Sequence, residues 1–168
     1  TGEREWFVAM RQDIEQLPEF TNHSVNQLKE DDLSSEKEVD YTQLRDLLKA
    51  GNWKEADEET LTVMLKVANR KKQGYLDIES IDNFPCIDLR TIDQLWIKYS
   101  NGHFGLSVQK RIWLKCGGKV DYKTEQALGD SVGWRKNNRW LDYNDITFNL
   151  DAPEGHLPAL LIGGPLKG

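Results

Sequence analysis

The sequence predicts an all-α fold, and three observations predict it. Apolar residues recur at helical intervals in one segment after another. A capping residue opens most of these segments and a glycine or proline closes them. The connections between the first core segments are too short for anything but neighbouring antiparallel helices. The expected architecture is a compact helical domain with a long irregular C-terminal loop, preceded by a short N-terminal helix.

The elements follow in order. Trp6, Phe7, Met10, Ile14 and Leu17 lie at near-helical spacing, so one amphipathic helix is expected, stopping near Pro18. Lys29 to Glu38 is charged and serine-bearing, with Leu33 its one apolar residue before Val39, and reads as a linker. Asp40 with Gln43 forms an N-terminal capping pair before Tyr41, Leu44, Leu47 and Leu48, and Gly51 supplies the stop. Asn52 is placed as the cap of a second helix carrying Ala56, Thr60, Val63, Met64 and Val67 on one stripe. A short helix is expected through Ile78 and Ile81 to Phe84-Pro85. Asp88 is expected to cap the next, whose Leu89, Ile92, Leu95, Trp96 and Tyr99 share a face before Asn101-Gly102. Ser107 is expected to cap a helix bearing Val108, Ile112, Trp113 and Cys116, ended by Gly117-Gly118, and a weaker helix covers roughly Lys123 to Leu128. From Gly129 helical periodicity fades. The long stretch that follows still holds Trp134, Arg135, Arg139, Trp140, Tyr143 and Phe148, and aromatic content of that kind argues against disorder. The divisions expected are 1–38 (N-terminal helix and linker), 39–158 (helical domain) and 159–168 (tail).

Composition narrows the function. The 168 residues suit one domain with a real core. The net charge of −6 is unevenly spread: residues 1–60 carry 16 acids and 7 bases, whereas residues 61–168 carry 12 acids and 15 bases. Such a chain is a poor general nucleic-acid binder, although its latter part can hold a small anion through a few placed cations. The longest apolar run, Leu157 to Ile162 with Pro158 inside it, is far too short to cross a bilayer. No secretory leader is visible, and the missing initiator Met suggests a processed or cloned fragment. Two cysteines, Cys86 and Cys116, without a CxxC pairing give no zinc site or disulfide framework and point to a reducing compartment.

Catalytic signatures are absent. His23, His103 and His156 are scattered among expected loops and read as exposed rather than as ligands. No GxSxG, P-loop or HExxH occurs, and the acidic runs read as solvated helix faces. The informative zone runs from Phe84 to Pro158. It opens with FPCIDLRTIDQLWIKYSNGHFGLSVQKRIW (Phe84 to Trp113). It continues through Gly129-Asp130-Ser131-Val132-Gly133-Trp134-Arg135 and Arg139-Trp140-Leu141, and closes on Asp145 to Pro158. These strings resemble the genomes-uncoupled-four family, over about Val39 to Pro158.

That resemblance implies a mostly helical domain with a cupped face that binds protoporphyrin IX and magnesium protoporphyrin IX, without catalysis and without a catalytic cofactor or metal site. It implies association with the large, porphyrin-binding subunit of magnesium chelatase and stimulation of chelation on the path to chlorophyll. A chloroplast stroma or a cyanobacterial cytoplasm is the implied location, peripheral membrane association is left open, and plant members are linked to plastid-to-nucleus signalling. The family's members often carry flanking bundles or signalling domains that a 38-residue leader is too short to match.

The residues themselves are compatible with this. A porphyrin is a flat apolar disc with two propionates on one edge, so it needs a concave apolar surface with cations at the rim. Leu89, Ile92, Phe104, Leu106, Val108, Trp134 and Trp140 are the candidates for the surface. Arg111, Arg135, Lys136 and Arg139 are the candidates for the carboxylates, since guanidinium groups pair with them bidentately. The plainer account of the helical stripe is core, and that of the loop arginines is solubility. Two rival readings stand beside the porphyrin one: an interaction or sensor module of a larger signalling protein, whose apolar cup takes a partner helix, and an enzyme acting on a tetrapyrrole.

Overall fold

A computed structural model describes residues 31–159. The expected N-terminal helix over Trp6 to Leu17 and most of the tail lie outside them. Six helices and one two-stranded hairpin make up the described chain. They are α1 Thr42–Ala50, α2 Trp53–Val67, α3 Ile78–Asp82, α4 Cys86–Tyr99, α5 Leu106–Lys115 and α6 Tyr122–Ser131. Strands β1 Arg135–Lys136 and β2 Arg139–Trp140 follow, and then a single 3-10 turn over Tyr143–Asp145. Among the described residues no helix is long and apolar enough to cross a membrane.

The helical hairpin at the start forms as its turn chemistry demands. Gly51 takes the left-handed conformation at φ 73°, which suits a residue without a Cβ, and its N–H reaches the Leu48 carbonyl at 3.1 Å. The chain then enters α2 directly. α1 and α2 pack on α4 around an aromatic cluster. Trp53 and Trp96 stack with centroids 6.1 Å apart, and Phe104 meets both edge-on at 5.5 and 6.3 Å. Trp96 Nε1 donates to Thr60 Oγ1 at 3.0 Å, which satisfies the indole within the core.

Three expected caps are corrected. Tyr41 and not Asp40 precedes α1, no side chain caps that helix, and Asp40 instead accepts the Thr42 N–H at 2.8 Å. α4 begins at Cys86, behind Pro85, so Asp88 is not its cap. Asp88 sits inside the first turn, fully buried, and accepts from the Tyr41 hydroxyl at 2.7 Å, the Ser35 hydroxyl and the Glu36 N–H. With Thr91 donating to the Ser34 carbonyl and Lys98 and Tyr99 both donating to Asp31, it ties residues 31–36 along α4. Ser107 does not cap α5 either. The Asp93 carboxylate, on α4, accepts the Ser107 N–H at 2.9 Å and so closes the start of α5 from a neighbouring helix. Gly105 makes this close approach feasible, since a Cβ there would lie 3.0 Å from Asp93 Oδ1.

The segment after Gly129 is more ordered than its punctuation suggests. α6 runs on to Ser131, and residues 135–140 form an antiparallel hairpin pairing Arg135 with Trp140 and Lys136 with Arg139. Asn137 and Asn138 connect the strands with φ of 52° and 63°, the paired left-handed residues of a tight two-residue turn. The remaining chain folds back as a strap across α5 and α6. Gln109 Nε2 on α5 holds it by donating to the carbonyls of Gly155 (3.0 Å) and Pro158 (2.9 Å), and Arg111 pairs with Glu154.

His156 corrects the reading of the histidines as exposed. Only 2% exposed, it lies under the strap, where Nε2 accepts from the Thr147 N–H at 3.1 Å. Nδ1 therefore carries the proton and donates to the Val132 carbonyl at 2.7 Å. His103 is half-buried, with its Nε2 2.7 Å from the Ala152 carbonyl. His23 lies outside the described residues.

Candidate functional site

The structure places seven of the ten expected porphyrin contacts in the protein interior, six apolar residues and Arg135. Leu89, Ile92, Phe104, Leu106 and Val108 are at most 4% exposed, and Trp134 is 1% exposed. They therefore do not form an open palm. The reason is geometric for the α4 pair: Leu89 and Ile92 belong to the i, i+3 stripe that faces α1 and α2. Phe104 follows the left-handed turn at Asn101 and Gly102, which aims it back at Trp53 and Trp96. Trp134 follows Gly133, at φ 78°, and its Nε1 donates to the His156 carbonyl at 2.8 Å beneath the strap.

The expected cations divide. Arg111 is engaged with Glu154. Arg135 is buried and pairs with both carboxylate oxygens of Asp130 at 3.0 Å, its Nε lacking a hydrogen-bond partner. Arg139 and Lys136 are exposed on the hairpin. Of the expected apolar contacts, Trp140 alone remains at the surface, with 39% of its area exposed.

Trp140 defines the most distinctive surface feature. The hairpin brings its indole against α6 at Gly129, where an added Cβ would lie only 2.7 Å from indole Cζ3 and Cη2. The Arg135 guanidinium sits over the same indole, 5.6 Å from its centroid. Seven residues toward the start of α6, and so about 10 Å along the same face, Tyr122 is 48% exposed. Val120 and Leu114, at 50% and 43%, continue the apolar surface across the α5–α6 turn. Lys115, Lys119 and Lys123 are exposed among them, whereas Arg139 pairs with Lys136 and so projects from the face of the hairpin opposite to Trp140. This turn is well formed: the Asp121 carboxylate caps α6 by accepting the Thr124 N–H at 2.7 Å, which holds that carboxyl below its usual range.

Sequence reasoning missed Leu114, Val120 and Tyr122. The signal was present, because Leu114 falls off the buried stripe of α5, Val120 lies between the Gly117-Gly118 stop and the Asp121 cap, and Tyr122 opens α6 directly after that cap. Among the described residues no group of three or more histidine, cysteine, aspartate or glutamate side chains could hold a metal ion.

Fold and face together define a small helical domain that offers an aromatic and cationic surface at one end. The GUN4-like family profile matches residues 34–164, and the chain belongs to this family. It is 36% identical over 131 residues to the Ycf53-like protein of Synechocystis, covering 76% of this chain and 54% of that one. It is 35% identical over 119 residues to the chloroplastic tetrapyrrole-binding protein of Arabidopsis thaliana, covering 64% and 43%. The chain thus spans about half the length of the curated relatives it matches. Among solved structures, GUN4 from Chlamydomonas reinhardtii superposes with a TM-score of 0.66 at 33% identity, covering 80% of this chain and 88% of that one. Ligand-free Arabidopsis GUN4 gives 0.63 at 30%, covering 77% and 91%. The all-helical fold is shared with both.

Proposed function

We propose that this chain binds a tetrapyrrole, protoporphyrin IX or its magnesium complex, without transforming it. In this reading residues 39–158 form the binding unit, which presents the ligand to the large subunit of magnesium chelatase and stimulates metal insertion. The observation that carries the reading is the match to a relative named for tetrapyrrole binding, within a family whose fold the chain shares. The surface around Trp140 supports it: an indole stacks on the macrocycle, Tyr122, Val120 and Leu114 extend the apolar floor, and the exposed lysines meet the propionates. The six buried apolar candidates act behind this surface as the scaffold that fixes it. A plastid or cyanobacterial setting accords with the sources of the relatives.

Titration of protoporphyrin IX against intrinsic tryptophan fluorescence tests the binding. Saturable quenching at micromolar porphyrin is expected, and its absence overturns the reading. Chelatase turnover with and without the protein tests the stimulation separately.

A further inference from the structure

Trp140 is held by three neighbours whose geometry suggests a task beyond solubility. Gly129 lets the indole approach the α6 backbone, and a Cβ there would meet two ring carbons at 2.7 Å and Arg135 Cδ at 2.9 Å. Arg135 lies against the indole with its guanidinium 5.6 Å from the centroid. Asp130 grips that guanidinium with both carboxylate oxygens at 3.0 Å. The Arg135 side chain is 5% exposed, so the cation is turned toward the protein and away from bulk solvent. Both bonds come from Nη1, and burial of the rest of the side chain limits the guanidinium's freedom, a restriction passed on to the indole beside it.

We propose that Gly129, Asp130 and Arg135 are positioning residues for Trp140, acting on ligand affinity through the indole and not by touching the ligand. This inference rests on the tetrapyrrole reading above. It departs from the expectation that Arg135 meets a propionate: the carboxylate that Arg135 neutralises is Asp130, and the ligand's anions fall to the exposed lysines. Preorganisation is the physical gain, because an indole already fixed in its stacking plane loses little freedom on binding.

The test is a set of double-mutant cycles with protoporphyrin IX as probe. Indole position is read without ligand from the 19F resonance of 5-fluorotryptophan at position 140, assigned by its loss in Trp140→Phe. Gly129→Ala and Arg135→Gln are each expected to shift that resonance and to weaken porphyrin binding about tenfold. In a Trp140→Ala background neither should weaken binding further, since the side chain through which they act is gone. Asp130→Asn serves where Arg135→Gln folds poorly, with the same expectation. A further loss from Arg135→Gln or Asp130→Asn in the Trp140→Ala background overturns the proposal, because it means direct contact with the ligand. An unmoved resonance with weakened binding overturns it too. Failure of the unmodified protein to bind porphyrin instead overturns the functional reading itself, and the resonance shifts still report whether the three residues seat the indole.

Discussion

At the scale of single residues, the two loop tryptophans have opposite tasks. Trp134 is buried and donates to the His156 carbonyl, so Trp134→Phe leaves that acceptor without its partner and opens a void. A loss of about 2–4 kcal/mol in urea unfolding is expected, with porphyrin affinity in the folded fraction little changed. Trp140 shows the reverse. Its partial exposure limits the stability cost of Trp140→Ala to about 1 kcal/mol, while porphyrin affinity is expected to fall about tenfold. If both substitutions changed stability and binding in parallel, the division of labour between core and surface indole would be wrong. The two residues lie six apart in a segment with no helical period, and nothing in local composition distinguishes them. The difference comes from Gly133, whose left-handed turn sends Trp134 inward, and from the strand pairing that carries Trp140 to α6.

At the scale of elements, the hairpin is the part most sensitive to its sequence. Asn137 and Asn138 both occupy left-handed conformations, which asparagine tolerates and alanine adopts at a cost of about 1–2 kcal/mol each. Replacing both with alanine should release the hairpin, weaken porphyrin binding as severely as losing Trp140, and leave the helical circular dichroism intact. Asn138→Gly should retain binding, since Asn-Gly is favoured in this turn. Equal affinity for the alanine pair and the parent protein would show that the hairpin does not determine the site. The helices themselves were legible in the sequence: the stripe of Leu44 and Leu48, the stop at Gly51 and the face of Leu89, Ile92 and Trp96 all stand as read. The Asn-Asn turn was also written there, but as punctuation inside a stretch read as irregular. What local sequence does not contain is the long-range choice of partner. Asp88 and Asp93 look like helix caps or surface carboxylates until the fold brings Tyr41, Ser35 and Ser107 to them. The candidate site suffered most from this, because one apolar stripe serves a core and a ligand palm equally well.

At the scale of the whole molecule, two buried titratable groups give stability a pH dependence of opposing signs. Burial raises the Asp93 carboxyl from 3.8 to about 6, against the opposing pull of the Ser107 N–H. Between those values the native state holds a proton that the unfolded chain has released, so stability falls as pH rises from about 4 to about 6. The full amplitude corresponds to about 3 kcal/mol. Burial also lowers the His156 imidazole below 6.5, with its bond to the Val132 carbonyl pulling the other way. Here the unfolded chain takes up the proton first, so stability is intact above pH 6.5 and falls as the pH drops toward the depressed native value. In the parent protein the two slopes offset one another across mildly acidic pH. Separating them needs one substitution each. Asp93→Asn keeps an acceptor for the Ser107 N–H and removes the carboxyl, so stability should then fall throughout acidification from pH 6.5. His156→Asn keeps a donor for the Val132 carbonyl and removes the imidazole, so stability should rise on acidification from pH 6 to pH 4. Urea midpoints for the three proteins at half-unit pH steps measure this. Curves that stay parallel across that range would mean that each group takes up its proton at the same pH in the folded and the unfolded chain, and would overturn the effect of burial assigned to both.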